Sequence, residues 1–213
     1  MIGVLVRRLF LAALASLLVG GATATAASSN QALLARLALR PAQIGAGYRL
    51  VQRPDGHGAA GYVTLDMCGY TFLSEAMRTD RLQVNYVRPR TALKFSNEVV
   101  TYRPGGTRLA VQELNDAVAH CPKGPVGSAV QGAPRATYVI TRLPTTGLLP
   151  GALSLRVHVS GTYQGKQFSE TDTAVYQVRG DVLSGVYAYG GTTRAREAAA
   201  RRIAEQSAKN LSG

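Results

Sequence analysis

The chain holds only two cysteines, Cys68 and Cys121, and they bracket its best-patterned stretch. Between them lie Ser74-Glu75-Ala76-Met77-Arg78, two runs with strand patterning, and an amphipathic segment ending on His120-Cys121-Pro122. If the two thiols join, the fold must bring their Cα atoms within about 4.4–6.8 Å. Closing a loop of about fifty residues would constrain the unfolded chain by roughly 4 kcal/mol on the entropy model. That is a large share of a domain's usual stability.

Whether the thiols oxidise depends on the compartment, and the N-terminus addresses this. Residues 1–27 read as a secretory signal peptide. Arg7 and Arg8 form a positive start, Leu9 to Val19 an apolar run, and Ala22-Thr23-Ala24 and Ala24-Thr25-Ala26 offer small residues for cleavage. The apolar run is short for a membrane span. No cysteine follows it, so the lipid-anchored route is not indicated. Export places Cys68 and Cys121 where a disulfide forms and persists. Residues 28–213 then read as a single domain.

The formal net charge is +12. Arg7 and Arg8 are the only charges in residues 1–27, so 22 basic residues face 12 acidic ones in the rest, a net charge of +10. Such an excess favours anionic partners such as phospholipid heads or cell-wall polymer. Arginine-rich usage is also what a GC-rich bacterial genome produces on ordinary surfaces. An exported protein does not meet nucleic acid, so that partner class is set aside.

Patterning gives the elements. Gln31 to Leu39 reads as a short helix stopped by Pro41, with a short strand near Tyr48 to Val51 and a loop over Pro54-Asp55-Gly56-His57-Gly58. Arg81 to Val87 alternates, Leu82, Val84 and Tyr86 against Arg81, Gln83 and Asn85, as a half-buried strand does. Phe95 to Tyr102 is a second strand, rich in β-formers. Thr107 is the expected cap of a helix over Arg108 to Cys121. Its stripe of Ala110, Val111, Leu114, Ala117, Val118 and Cys121 turns Cys121 to the core. His120 is expected on the polar face as a surface partner of Asp116 and Glu113.

Strands follow at Thr137 to Leu143, Leu153 to Val159, Thr171 to Arg179 and Val182 to Tyr189, the last two joined by a two-residue turn at Gly180-Asp181. Thr192 or Thr193 caps a final helix to about Asn210. Its apolar stripe is thin, so it is expected to pack weakly. Hairpins dominate and no βαβ alternation appears. The predicted class is α+β, a mainly antiparallel sheet with helices packed on one side and one disulfide.

Short motifs add little chemistry. Leu143-Pro144-Thr145-Thr146-Gly147 matches a wall-sorting pentapeptide but is followed by a regular strand, not by an apolar segment and a positive tail. Arg179-Gly180-Asp181 matches an adhesion tripeptide and reads first as a hairpin turn. His57, His120 and His158 show no metal-ligand spacing. No nucleophile elbow and no phosphate-binding glycine loop occurs. No catalytic residue, metal or cofactor is therefore expected. Arg78, Arg81, Arg88, Arg90 and Arg103 crowd one stretch, and with Tyr86 and Tyr102 they are the candidate lining of a cleft for an anionic or polar ligand. Positively charged strand edges, a common guard against aggregation, are the competing reading.

These residues form a pattern that resembles an actinobacterial family, the extracellular sensor domain of the mycobacterial Ser/Thr protein kinase H type. The matching features are Gly45-Ala46-Gly47-Tyr48, Asp66-Met67-Cys68, Ser74-Glu75 with Arg78 and Arg81, and Ser96-Asn97-Glu98-Val99. Tyr102-Arg103-Pro104-Gly105-Gly106, the helix ending on Cys121, and Val178-Arg179-Gly180-Asp181-Val182 complete it. The resemblance implies a twisted antiparallel sheet with flanking helices and a cleft, a precedent for the cysteine bracket, and a role in binding an extracellular ligand. No kinase domain or transmembrane helix accompanies the pattern, and the second disulfide of the kinase sensor is absent. The leading expectation is a secreted, non-enzymatic, sensor-like domain of the cell envelope that binds a small molecule or an anionic envelope component. A structural envelope protein adhering to anionic wall polymer or membrane is the first alternative, and a secreted hydrolase the second.

Overall fold

The computed structural model describes residues 24–213, the side chains of residues 24–29, 52–55 and 57 excepted. The expected signal segment, residues 1–27, lies almost wholly outside the described residues. In chain order the elements are α1 (Ala24–Leu37), α2 (Pro41–Ile44), β1 (Arg49–His57), a 3-10 helix (Leu73–Met77), β2 (Arg78–Val87), β3 (Lys94–Tyr102), α3 (Gly106–Ala119), β4 (Ala136–Arg142), β5 (Leu153–Tyr163), β6 (Lys166–Arg179), β7 (Val182–Tyr189) and α4 (Thr193–Ser212). All seven strands join one sheet in the order β1-β2-β3-β7-β6-β5-β4, and every neighbouring pair is antiparallel. The predicted α+β class with an antiparallel sheet is what the chain adopts.

Local chemistry explains the boundaries. Pro41 ends the run begun by α1 and serves as the first residue of α2, where its fixed φ and missing N–H suit a helix start. Gln164 and Gly165, both at positive φ, close the β5–β6 hairpin, and Gly180 and Asp181 close β6–β7. The adhesion-like tripeptide is thus a turn. The loop expected over residues 54–58 is instead largely strand: β1 runs to His57, with a register irregularity between Gln52 and His57.

Two apolar clusters sit on the two faces of the sheet. On one face α1, α2 and α4 pack over Leu82, Val84, Tyr86, Phe95, Val99, Val186 and Ala188. On the other, α3 and the Leu65–Phe72 segment pack over Val100, Leu153, Leu155, Ala174, Tyr176 and Leu183. Helices therefore cover both faces, where one was expected. The reason is in the strands: β3, β6 and β7 carry buried apolar residues on both sides, and each side needs a cover.

Two helix expectations change. The cap of α3 is Gly105, in the left-handed region at φ +83°, while Thr107 sits inside the helix and donates to the Gly180 carbonyl at 2.9 Å. α4 does not pack weakly. Thr192 caps it through the Ala195 N–H, and Ala200, Ile203, Ala204, Ser207, Ala208 and Leu211 are buried. Small residues let it approach the sheet closely enough for Ser207 to reach Ser184 at 2.8 Å and for Gln177 to donate to the Ala204 carbonyl at 2.9 Å. A thin apolar stripe is sufficient when its side chains are small and its polar members find partners.

Candidate functional site

The disulfide fixes one corner of the site. Cys68 and Cys121 are bonded, with Cα atoms 5.1 Å apart. Cys121 lies just past the end of α3, and Cys68, at φ +59°, turns the chain before Gly69. The bond ties the segment leading into the 3-10 helix to the end of α3. A second tie lies beside it: Asp66 accepts from the Ser128 hydroxyl at 2.5 Å and the Ala129 N–H at 3.1 Å. Gly69 leaves room for Val126, whose Cβ would stand 2.8 Å from any side chain there.

Carboxylates organise the interior of this region. Glu113, on α3, accepts from the N–H groups of Leu73 at 2.7 Å and Ser74 at 3.1 Å, which satisfies the start of the 3-10 helix. It is 4% exposed, so it points inward and does not partner His120 at the surface. The His120 ring instead contacts the Asp116 carbonyl at 3.0 Å. Glu75 accepts from the N–H groups of Thr64 at 2.9 Å and Leu65 at 3.1 Å and pairs with Arg78 at 3.1 Å. Burial pushes the Glu75 carboxyl above its ordinary range, against the opposing pull of those N–H groups and of Arg78.

Arg78 donates from Nη1 to the Thr64 hydroxyl at 3.0 Å, from Nε to the Glu75 carbonyl at 3.1 Å, and from Nη2 to the Tyr62 carbonyl. Thr64 passes the connection on by donating to Glu98 at 3.0 Å. Glu98 pairs with Arg81, both side chains almost wholly buried, and accepts from the Tyr187 hydroxyl at 3.2 Å. The Arg81 guanidinium also donates to Gln83 at 2.7 Å and lies 5.4 Å from the Tyr62 ring centroid. Two ion pairs, Glu75–Arg78 and Arg81–Glu98, are thus joined through Thr64 under the 58–72 segment.

Two open clefts meet at the outer pair. One, of about 720 Å³, is lined by Asn30, Gly58 to Gly61, Thr79 and Asp80 together with Glu75 and Arg78. The other, of about 600 Å³, adds an apolar and aromatic wall from Leu65, Tyr70 and Phe72, a loop wall from Val126 to Ala129, and Arg135. Both volumes fall in the range of small-molecule sites. The lining sets a charged pair beside apolar and aromatic side chains, which offers contacts to a polar or amphiphilic guest.

The seven residues expected to line a cleft do not all come together, and Arg81 lies beneath the clefts, paired with Glu98. Arg78 is in the site. Tyr102 is buried beneath Gly106, its hydroxyl without a partner and its ionisation pushed far up by burial. Arg103 is nearby but exposed, and it donates to the Ala76 carbonyl at 2.6 Å. Arg88 and Arg90 lie past the far end of β2, a ten-residue strand and so about 30 Å away. Tyr86 points to the opposite face, where its hydroxyl donates to the Leu39 carbonyl. Alternation and strand length separate residues that proximity in sequence had grouped. Glu75, Glu98 and Glu113 were not among the expected lining residues. The available signal was Glu98, an acid in the middle of a strand of apolar and β-branched residues.

No family model matches this chain, and no curated protein sequence does. A solved structure does match. The fold is similar to that of the extracellular domain of PknH from Mycobacterium tuberculosis. The superposition has a TM-score of 0.55 at 14% sequence identity, and it covers 83% of this chain and 95% of that one. The resemblance seen in the sequence is therefore a likeness of fold. Of the positions that carried it, Asp66, Cys68, Glu75, Arg78, Arg81 and Glu98 meet at the disulfide and the two ion pairs, while Gly45–Tyr48 and Gly180–Asp181 lie elsewhere. Among the described residues, no helix is long and apolar enough to cross a membrane.

Proposed function

We propose that the protein is a secreted, non-enzymatic, sensor-like domain of the cell envelope that holds a small polar or amphiphilic ligand at the Glu75–Arg78 clefts. The observation that carries this reading is the fold likeness to an extracellular domain, now joined to a pair of clefts at a buried, charged centre. The signal-like segment at residues 1–27 supports export. The buried ion pairs support a fixed shape, because either partner alone would be a costly buried charge. An occupied site stabilises the folded state, so thermal shift against fractionated envelope extracts is the test. A ligand at about a hundred times its Kd adds about 2.7 kcal/mol, or about 5–11 °C for a domain of this size. Ala60→Trp narrows one cleft and Ala129→Trp the other, so the variant that loses the shift identifies the occupied cleft. If no fraction moves the midpoint, the ligand-binding reading fails.

A further inference from the structure

The other end of the sheet carries a set of cations with no acidic partner among the described residues. Arg49 opens β1 opposite Val87, Lys94 opens β3 opposite Tyr189, and Arg88 and Arg90 stand on the six-residue connection between β2 and β3. All four are exposed. The carboxylates within reach by strand register are Asp172 on β6, two strands from Lys94, and Glu98 on β3, each about 10 Å or more away. Glu98 is already paired with Arg81.

The connection that presents these charges is braced. The Tyr48 hydroxyl donates to the Leu93 carbonyl at 3.1 Å, and its ring packs edge-on against Phe95 at 5.3 Å. Arg88 lies 5.1 Å from the Tyr48 ring centroid and donates to the Ala46 carbonyl at 3.3 Å. Gly190 lets Ala92 approach so closely that a Cβ there would stand 2.3 Å from the Ala92 carbonyl oxygen. Arg90 sits at the turn with φ +58°. The charges therefore stand on a fixed platform.

Apolar side chains adjoin them. Leu50 and Val51 follow Arg49 on the edge strand, one on each face of the sheet at this end, and are 39% and 40% exposed. Cations beside exposed aliphatic side chains suit the boundary between headgroups and acyl chains, where both kinds of group find a partner. A soluble anionic polymer would engage the cations and leave Leu50 and Val51 in water.

We propose that the surface formed by Arg49, Arg88, Arg90 and Lys94, with Leu50 and Val51 beside them, docks the protein on an anionic phospholipid bilayer. The Glu75–Arg78 clefts belong to the opposite end of β2, so docking there leaves them free.

The test is flotation of the full chain with vesicles of phosphatidylcholine and phosphatidylglycerol mixed about 3:1, against phosphatidylcholine alone. The apolar stretch in residues 9–19 is common to every variant, so the comparison is between variants. Each basic residue near an anionic surface is worth about a fivefold gain in partition. Arg88→Gln with Arg90→Gln should therefore lose about 25-fold on the anionic vesicles. Arg108→Gln with Arg179→Gln removes the same charge from the far end and should change binding little. Leu50→Ser with Val51→Ser should weaken binding that survives about 1 M salt, where the Debye length is about 3 Å. Equal losses from the two double arginine variants would overturn the proposal. So would an equal loss by Arg88→Gln with Arg90→Gln on the two vesicle types. Binding that soluble polyphosphate abolishes while Leu50→Ser with Val51→Ser leaves it unchanged would also overturn it, in favour of a soluble anionic polymer.

Discussion

Breaking the Cys68–Cys121 bond is the perturbation whose cost can be worked most directly. The two residues are 53 apart in sequence. The chain-entropy relation for a loop of that length gives about 4 kcal/mol at 25 °C, from freedom restored to the unfolded chain. In a domain of this size each kcal/mol moves the midpoint by about 2–4 °C, so reduction should lower it by about 8–16 °C. Cys68→Ser with Cys121→Ser should cost slightly more than reduction, because Cys68 is 4% exposed and a hydroxyl there is buried. The assay is thermal unfolding of the oxidised protein, the reduced protein and the double variant side by side. Hydrogen exchange should show the loss first in residues 66–72 and 126–129, the segments anchored beside the bond. A midpoint drop under about 2 °C on verified reduction would refute the reasoning, since the loop would then be constrained by something other than the bond.

Other outcomes follow from the same contacts. Glu98→Ala strands the buried Arg81 guanidinium and should cost about 3–5 kcal/mol in denaturant unfolding; a loss below 1 kcal/mol, on that scale, would mean that water replaces the carboxylate at no great cost. Gly106→Ala should cost about 1–3 kcal/mol, because its Cβ would meet Tyr102 at 2.8 Å, and an unchanged midpoint would contradict the close packing of α3 on β3. Asp172, raised by burial and by the Glu170 charge to about 6, binds its proton more tightly when folded. Its contribution is present below its ordinary value of 3.8 and is lost as pH rises through about 6. Asp172→Asn should therefore gain about 1–3 kcal/mol on the wild type between pH 4 and pH 7, and parallel pH–stability curves for the two proteins would sink that assignment.

Much of the fold was legible because its signals are local. β7 falls on Val182–Tyr189 as alternation and the Gly180–Asp181 turn require. β2 and β3 are displaced from expectation by only a few residues, and Thr192 caps α4 through its own hydroxyl. The side of the sheet on which a helix lies is not local. α3 and α4 have similar short apolar stripes, yet they cover opposite faces, because β3, β6 and β7 are apolar on both sides. The fate of Glu113 shows the same limit. Helical spacing puts it near the polar face, but the 3-10 helix brings two free N–H groups to it, and that decides its burial.

By itself, then, the sequence determined the alternation of the main strands, the Gly180–Asp181 hairpin turn, the Thr192 cap and the pairing of the only two cysteines, since each rests on contacts between near neighbours or on there being no other choice. The tertiary structure decided which charges meet. Arg78 and Arg81 join Glu75 and Glu98 because β2, β3 and the 58–72 segment converge there. Arg88 and Arg90, 7 and 9 residues from Arg81 in sequence, are carried by one extended strand to the far end of the sheet, where the backbone's rise per residue keeps them apart from the clefts.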